Sequence, residues 1–151
     1  MDFSAEFKKG VEGELFHLTR SPSEKKPAFI VLVVQPFAEE ANKSRYAISQ
    51  MAERISKLGG ALVLFDHYGT GDSAGDHADA TLTGWAQDLQ AIVLNLKASN
   101  DCPVHLFAIR TGALIAMSVD ATVINNPASV SFLSPVLNGK QFIGQFFRLR
   151  L

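Results

Sequence analysis

Four short runs in this chain are apolar almost throughout: Ala28–Val34, Ala61–Phe65, Val104–Ile109 and Val130–Leu133. A strand with apolar residues on both faces must be covered on both faces, which is the situation of a central strand in a parallel sheet. Between the runs, apolar residues recur at helical spacing. Ile48, Met51, Ala52, Ile55 and Leu58 do so within Ser44–Leu58, and Gly59 and Gly60 close that stretch. Leu82, Trp85, Leu89, Ile92, Val93 and Leu96 form a second amphipathic set, and Gly112–Val119 starts directly from the third apolar run. Strand and helix alternating in this way predict an α/β domain with a mostly parallel sheet and right-handed crossovers. Ahead of it, Met1–Phe7 and Glu14–Thr19 alternate weakly around a turn carrying Gly10 and Gly13, which predicts a hairpin.

A chain of 151 residues, 47% hydrophobic and 19% charged, is one globular domain with a real core. Its formal net charge of −1 gives no general pull toward nucleic acid or an anionic membrane. The one cysteine, Cys102, excludes an intrachain disulfide and a Cys-rich zinc site, and it reads as structural. The opening MDFSAEFKKG has no apolar signal core, and no stretch is apolar enough to span a bilayer. A cytoplasmic location is the expectation. The histidines show no metal-ligand spacing, and neither a metal nor a cofactor is expected. His105 falls inside a strand and reads as a core histidine, His17 falls on an early edge strand, and His67 and His77 flank a glycine-rich loop.

In parallel α/β sheets, ligands sit beyond the carboxyl ends of the strands. The third run ends in Ala108-Ile109-Arg110-Thr111-Gly112, where strand passes into helix through a one-residue corner. That is where α/β-hydrolases carry the G-x-S-x-G nucleophile elbow. Here the nucleophile position is Arg110, whose guanidinium stays protonated and has no lone pair to give. Two readings stand: an arginine aimed at an anionic group beside a helix N-terminus, or an arginine neutralised by a nearby carboxylate, with Asp66, Asp72 and the Pro36–Glu40 loop as the expected neighbours. The first run is followed by Pro36–Arg45, the loop that in a hydrolase supplies an oxyanion-hole N–H. Glu39 and Glu40 on it are either acid–base groups or a solvated turn. Ser44 is a candidate helix N-cap, and Lys43 and Arg45 are solvated or bind an anion. Catalytic candidates near the elbow are therefore Glu39, Glu40, Asp66 and Asp72, and ligand-binding candidates are Phe37, Lys43, Arg110 and Thr111. Gly69-x-Gly71-x-x-Ala74 nominally fits a dinucleotide fingerprint. The residues after it lack a helical apolar period, and Asp72 would face a pyrophosphate with like charge, so a structural loop held by Asp66 is expected instead.

Asp66-x-x-Gly69-x-Gly71-x-Ser73-x-Gly75 resembles the D-x-x-G-x-G-x-S loop of α/β-hydrolases of the serine-aminopeptidase/lysophospholipase type. Together with Pro36–Arg45, Asp66–Asp76, Ile109–Leu114, Ser134–Phe142 and Gln145–Leu151, it resembles the exosortase A system-associated hydrolase 2 family. These are bacterial proteins found with exopolysaccharide and protein-sorting loci. The resemblance runs from Ala28 onward. It implies an α/β-hydrolase-type sheet, and an arginine at the nucleophile position as a family feature. It also implies that residues 1–151 are the amino-terminal portion of a single domain whose acid, histidine and cap lie beyond Leu151. The function implied is hydrolysis of an ester, thioester or amide. The alternative is a non-catalytic relative that binds an anionic or acylated small molecule at Arg110 or docks a protein partner. The apolar ending QFFRLRL calls for a covering surface, such as a second copy of the chain.

Overall fold

The computed structural model describes residues 2–23, 25–124 and 127–148. Met1, in the first expected strand, and residues 149–151 of the apolar ending lie outside the described residues. The expected hairpin is present. β1 (Asp2–Lys9) and β2 (Glu14–Ser21) pair antiparallel from Asp2↔Ser21 to Lys9↔Glu14. The apolar runs form β3 (Ile30–Val34), β4 (Ala61–Phe65), β5 (Val104–Ile109) and β6 (Ser129–Leu133). One six-stranded sheet results, in the order β1-β2-β4-β3-β5-β6. The four apolar strands are parallel to one another, and β2 joins them antiparallel to β4.

Helices cover both faces, which is why the central strands carry no polar alternation. α1 (Glu39–Lys57) packs on one face, where Ile48 and Ala52 meet Val33, Leu62, Leu64 and Ile109. On the other face Leu32, Val34, Val63, Phe65, Leu106 and Ala108 meet Trp85, Leu89 and Val93 of α2 (Leu82–Ser99). Ile115 of α3 (Gly112–Met117) joins the same cluster, and a short α4 (Ala121–Ile124) follows. Thr81 caps α2 by accepting the Gly84 N–H at 3.0 Å. After β6 comes α5 (Gly139–Arg148).

Four expectations need correction. α1 begins at Glu39, five residues before Ser44, and Ser44 is no cap: its hydroxyl donates to the Ala41 carbonyl at 2.8 Å inside the helix. The first turns face solvent and so carry no apolar period, while Glu39 and Glu40 suit the positive helix start. His17 is not on an edge. β2 lies between β1 and β4, so the ring is buried and stacks on Phe65 at 5.8 Å. His105 is only half-buried, because its neighbour β6 is the outermost strand, and Nδ1 lies 2.8 Å from Ser129 Oγ. β6 itself is largely exposed, with Phe132 and Leu133 about half accessible, since among the described residues no helix packs closely over its faces.

Candidate functional site

The elbow is built by close packing. A Cβ on Gly112 would stand 2.1 Å from the Val34 carbonyl oxygen, so only glycine lets α3 start this close to β3. Arg110 turns the corner between β5 and that helix with φ 52, a left-handed backbone that a non-glycine residue holds only when its surroundings fix it. They do so through three backbone hydrogen bonds. Arg110 N donates to Leu133 O at 3.0 Å, and Arg110 O accepts from Ala113 N at 3.2 Å and Val136 N at 3.0 Å.

The guanidinium is partly accessible, and its partner is Glu40. Nε and Nη2 both donate to Glu40 Oε1, at 3.2 and 3.1 Å, and Nη1 donates to Ser134 O at 3.1 Å. Glu40 Oε2 is buried with no hydrogen-bond partner among the described residues. Of the three expected neighbours the Pro36–Glu40 loop supplies the partner, and Asp66 and Asp72 do not. β3 stands between β4 and β5, which separates the ends that carry Asp66 and Arg110, whereas the early start of α1 brings Glu40 over β5. Two clefts meet at Arg110. One, of about 280 Å³, is lined by Pro36, Glu40, Lys43, Ser44 and Ile109. The other, of about 170 Å³, is lined by Pro135–Asn138, Gln141 and Phe142.

Thr111 is fully buried, and its hydroxyl accepts the Phe37 N–H at 3.2 Å. The Phe37 amide and the residue after the elbow thus adjoin, as the two donors of a hydrolase oxyanion hole do. The Phe37 ring packs on Trp85 at 5.3 Å and edge-on to Phe142 at 6.2 Å. Lys43 is exposed on α1.

Asp66 organises a neighbouring network. Its buried carboxylate accepts from Gln35 Nε2 at 2.8 Å, Arg45 Nη2 at 2.9 Å and the Asp72 N–H at 3.0 Å. It therefore holds the glycine loop as expected. A Cβ on Gly71 would fall 2.0 Å from Asp66 Oδ2, which fixes that position as glycine. The loop runs on without opening a helix until Leu82, as expected for a structural loop rather than a dinucleotide site. Asp72 itself is exposed and contributes its backbone. Glu39, Gln35, Phe37, Arg45, Asp66 and His77 line a cleft of about 470 Å³ between this loop and α1. Sequence reasoning missed Gln35 as a hub. Its signal is a polar residue ending an otherwise apolar strand, and it also donates to Phe65 O at 2.8 Å.

His67 is buried between Phe65 and Trp85, with ring centroids at 4.9 and 5.2 Å. Nε2 donates to Gln35 O at 3.0 Å, and desolvation pushes the pKa down to about 4 against the upward pull of that bond and of Asp66. A neutral, enclosed ring of this kind supports the strand ends. The serine–histidine contact Ser129–His105 lies at the amino-terminal ends of β5 and β6, opposite the elbow, and neither residue lines a cleft named above. Among the described residues, no group of His, Cys, Asp and Glu is placed to hold a metal ion.

No protein-family model and no curated protein matches the chain by sequence. Solved structures do match. An α/β serine hydrolase without a lid from Xanthomonas campestris aligns with TM-score 0.74 and 20% identity, over 89% of this chain and 62% of that one. An α/β serine hydrolase homologue from Coxiella burnetii aligns with TM-score 0.71 and 17% identity, over 93% and 66%. A thermostable carboxyl esterase from Bacillus coagulans aligns with TM-score 0.71 and 20% identity, over 99% and 50%. The chain thus spans about half to two thirds of the length of these structures. Its six strands and the helices on both faces are part of the α/β-hydrolase fold.

Proposed function

We propose that this chain, as the amino-terminal portion of a hydrolase-like domain, binds an acylated or carboxylate-bearing small molecule, with Arg110 as the anion clamp in the nucleophile's place. The observation that carries this reading is Arg110 itself: a guanidinium on a left-handed elbow, opening to two clefts, whose carboxylate partner among the described residues, Glu40, offers it a single oxygen. A ligand carboxylate meeting the same fork through two oxygens would make the stronger bidentate pair. The second reading, hydrolysis of an ester, thioester or amide, is favoured by the fold and by the Phe37 amide beside Thr111. It requires a nucleophile other than residue 110. The motif resemblance extends the proposal to cytoplasmic proteins of bacterial exosortase and exopolysaccharide systems.

Calorimetric titration with decanoate tests the clamp. A charge-assisted hydrogen bond contributes ~1.5–3 kcal/mol, so Arg110→Ser should weaken binding about 10- to 100-fold. Its melting temperature should move little, because the Glu40 pair is partly exposed. Unchanged decanoate affinity in Arg110→Ser would defeat the clamp. Ester turnover by the wild-type chain, abolished when a fluorophosphonate labels one of its serines, would instead establish the hydrolase reading.

A further inference from the structure

β1 presents an open edge. β2 is its neighbour on one side, and no strand of the described residues lies on the other. The alternation of an antiparallel ladder fixes which backbone groups are left unpaired. Gly10 N donates to Gly13 O at 2.7 Å, so every second residue before Gly10, namely Lys8, Glu6, Ser4 and Asp2, turns its N–H and C=O toward β2. The far side of β2 agrees: Phe16 O accepts from Asp66 N at 2.9 Å, so the even residues of β2 face β4 and its odd residues face β1. Phe3, Ala5, Phe7 and Lys9 therefore turn their backbone groups out of the sheet. Such an edge is a template for another strand. It runs from Asp2 to Lys9 without a bulge or a proline, two of the usual means of blunting an edge. Its side chains sort onto two faces. Asp2, Ser4, Glu6 and Lys8 share one, and Phe3, Ala5 and Phe7 the other, with Phe3 60% and Phe7 56% exposed.

We propose that two copies of this chain pair antiparallel through β1, about a two-fold axis at Ala5, and join their sheets into one. A two-fold normal to the sheet keeps each face on its own side, so odd residues meet odd and even meet even. Charge chooses among the registers that remain. With the axis at Ala5, Asp2 faces Lys8 of the second copy, Lys8 faces its Asp2, and Ser4 faces its Glu6. Lys8 Nζ already stands 3.0 Å from Glu6 of its own strand, so the incoming Asp2 completes a carboxylate–ammonium–carboxylate bridge. On the other face Phe3 meets Phe7 of the second copy, Phe7 meets its Phe3, and Ala5 meets Ala5. These are the positions whose backbone groups face outward, so each such pair exchanges two N–H···O bonds. Moving the axis to Ser4 sets Asp2 against Glu6, and moving it to Glu6 sets that carboxylate against itself. An axis at Phe7 sets Glu6 against Lys8 but carries Asp2 and Phe3 past the end of the second copy's strand.

The test is analytical ultracentrifugation of the full chain together with amide hydrogen exchange. Dimers should form as the concentration rises toward about 1 mM. The amides of Phe3, Ala5 and Phe7 should slow with them, while those of Ser4, Glu6 and Lys8 do not respond to concentration. Lys8→Asp turns two attractive pairs into two repulsive ones and should raise the dissociation constant roughly 10- to 100-fold. Adding Asp2→Lys reverses both and should restore it to within about threefold of the wild type. Ala5→Pro removes an N–H that faces the open edge rather than β2, so it should abolish dimers while the circular dichroism spectrum stays native. A chain that stays monomeric at about 1 mM would overturn the proposal. So would protection of the Phe3, Ala5 and Phe7 amides that is independent of concentration, since the cover would then belong to the same molecule. A dimer that survives both Lys8→Asp and Ala5→Pro uses another surface, and one lost in Lys8→Asp but not rescued by Asp2→Lys uses another register. Either result defeats the pairing at Ala5.

Discussion

Gly112→Ala is the most telling single-methyl change in this structure. The new Cβ would meet the Val34 carbonyl oxygen at 2.1 Å, the Val34 carbonyl carbon at 2.9 Å and the Gln35 carbonyl oxygen at 3.0 Å. All three atoms are backbone at the end of a central strand, so no side chain can swing aside. The first contact is more than 1 Å short of ordinary packing, and α3 must lift away from β3 to relieve it. Overpacking of this kind costs ~1–3 kcal/mol, and the helix-propensity gain of alanine, up to ~1 kcal/mol, offsets little of it at a first helical position. A net loss of about 2 kcal/mol lowers the melting temperature of a domain this size by roughly 4–8 °C. Gly144→Ala is the internal control. It also lies in a helix, α5, but a Cβ there meets nothing within 4 Å, so stability should hold or rise by up to ~1 kcal/mol. Thermal and urea unfolding of the two variants should therefore move in opposite directions. A Gly112→Ala protein that melts at or above the wild type would refute the close-packed elbow.

Two further outcomes follow from the buried polar groups. His67 binds its proton in the unfolded chain near pH 6.5 but in the folded chain only near pH 4, so its contribution is complete above 6.5 and falls away toward 4. The loss approaches about 3 kcal/mol by pH 4, and urea midpoints of His67→Gln should depend less on pH across that window than those of the wild type. Asp66→Asn should cost about 2–3 kcal/mol in urea unfolding, discounted for the exposed Arg45 partner. An amide that keeps its oxygen on Gln35 and Arg45 must point N–H at the Asp72 N–H, leaving a buried donor without an acceptor.

The sequence by itself determined the layered sheet, because a run such as Ala61–Phe65, apolar on both faces, is stable only between two layers of helix. It also determined the elbow. Gly112 behind a buried strand leaves two residues to turn the chain, and the first of them, Arg110, takes the left-handed corner while Thr111 already has helical backbone. The solvent-facing start of α1 was not legible, because helix turns that bury nothing carry no apolar period. Nor was the status of β2 as an interior strand, since antiparallel pairing with β4 is a choice among edges that no local residue records. Tertiary structure alone decided which carboxylate meets Arg110. Asp66 and Glu40 are both acids beside strand ends, but strand order sets β3 between Asp66 and the elbow, and the register of α1 carries Glu40 to it. Partner choice among charges depends on distances of a few ångströms in three dimensions, and spacing along a chain does not encode them.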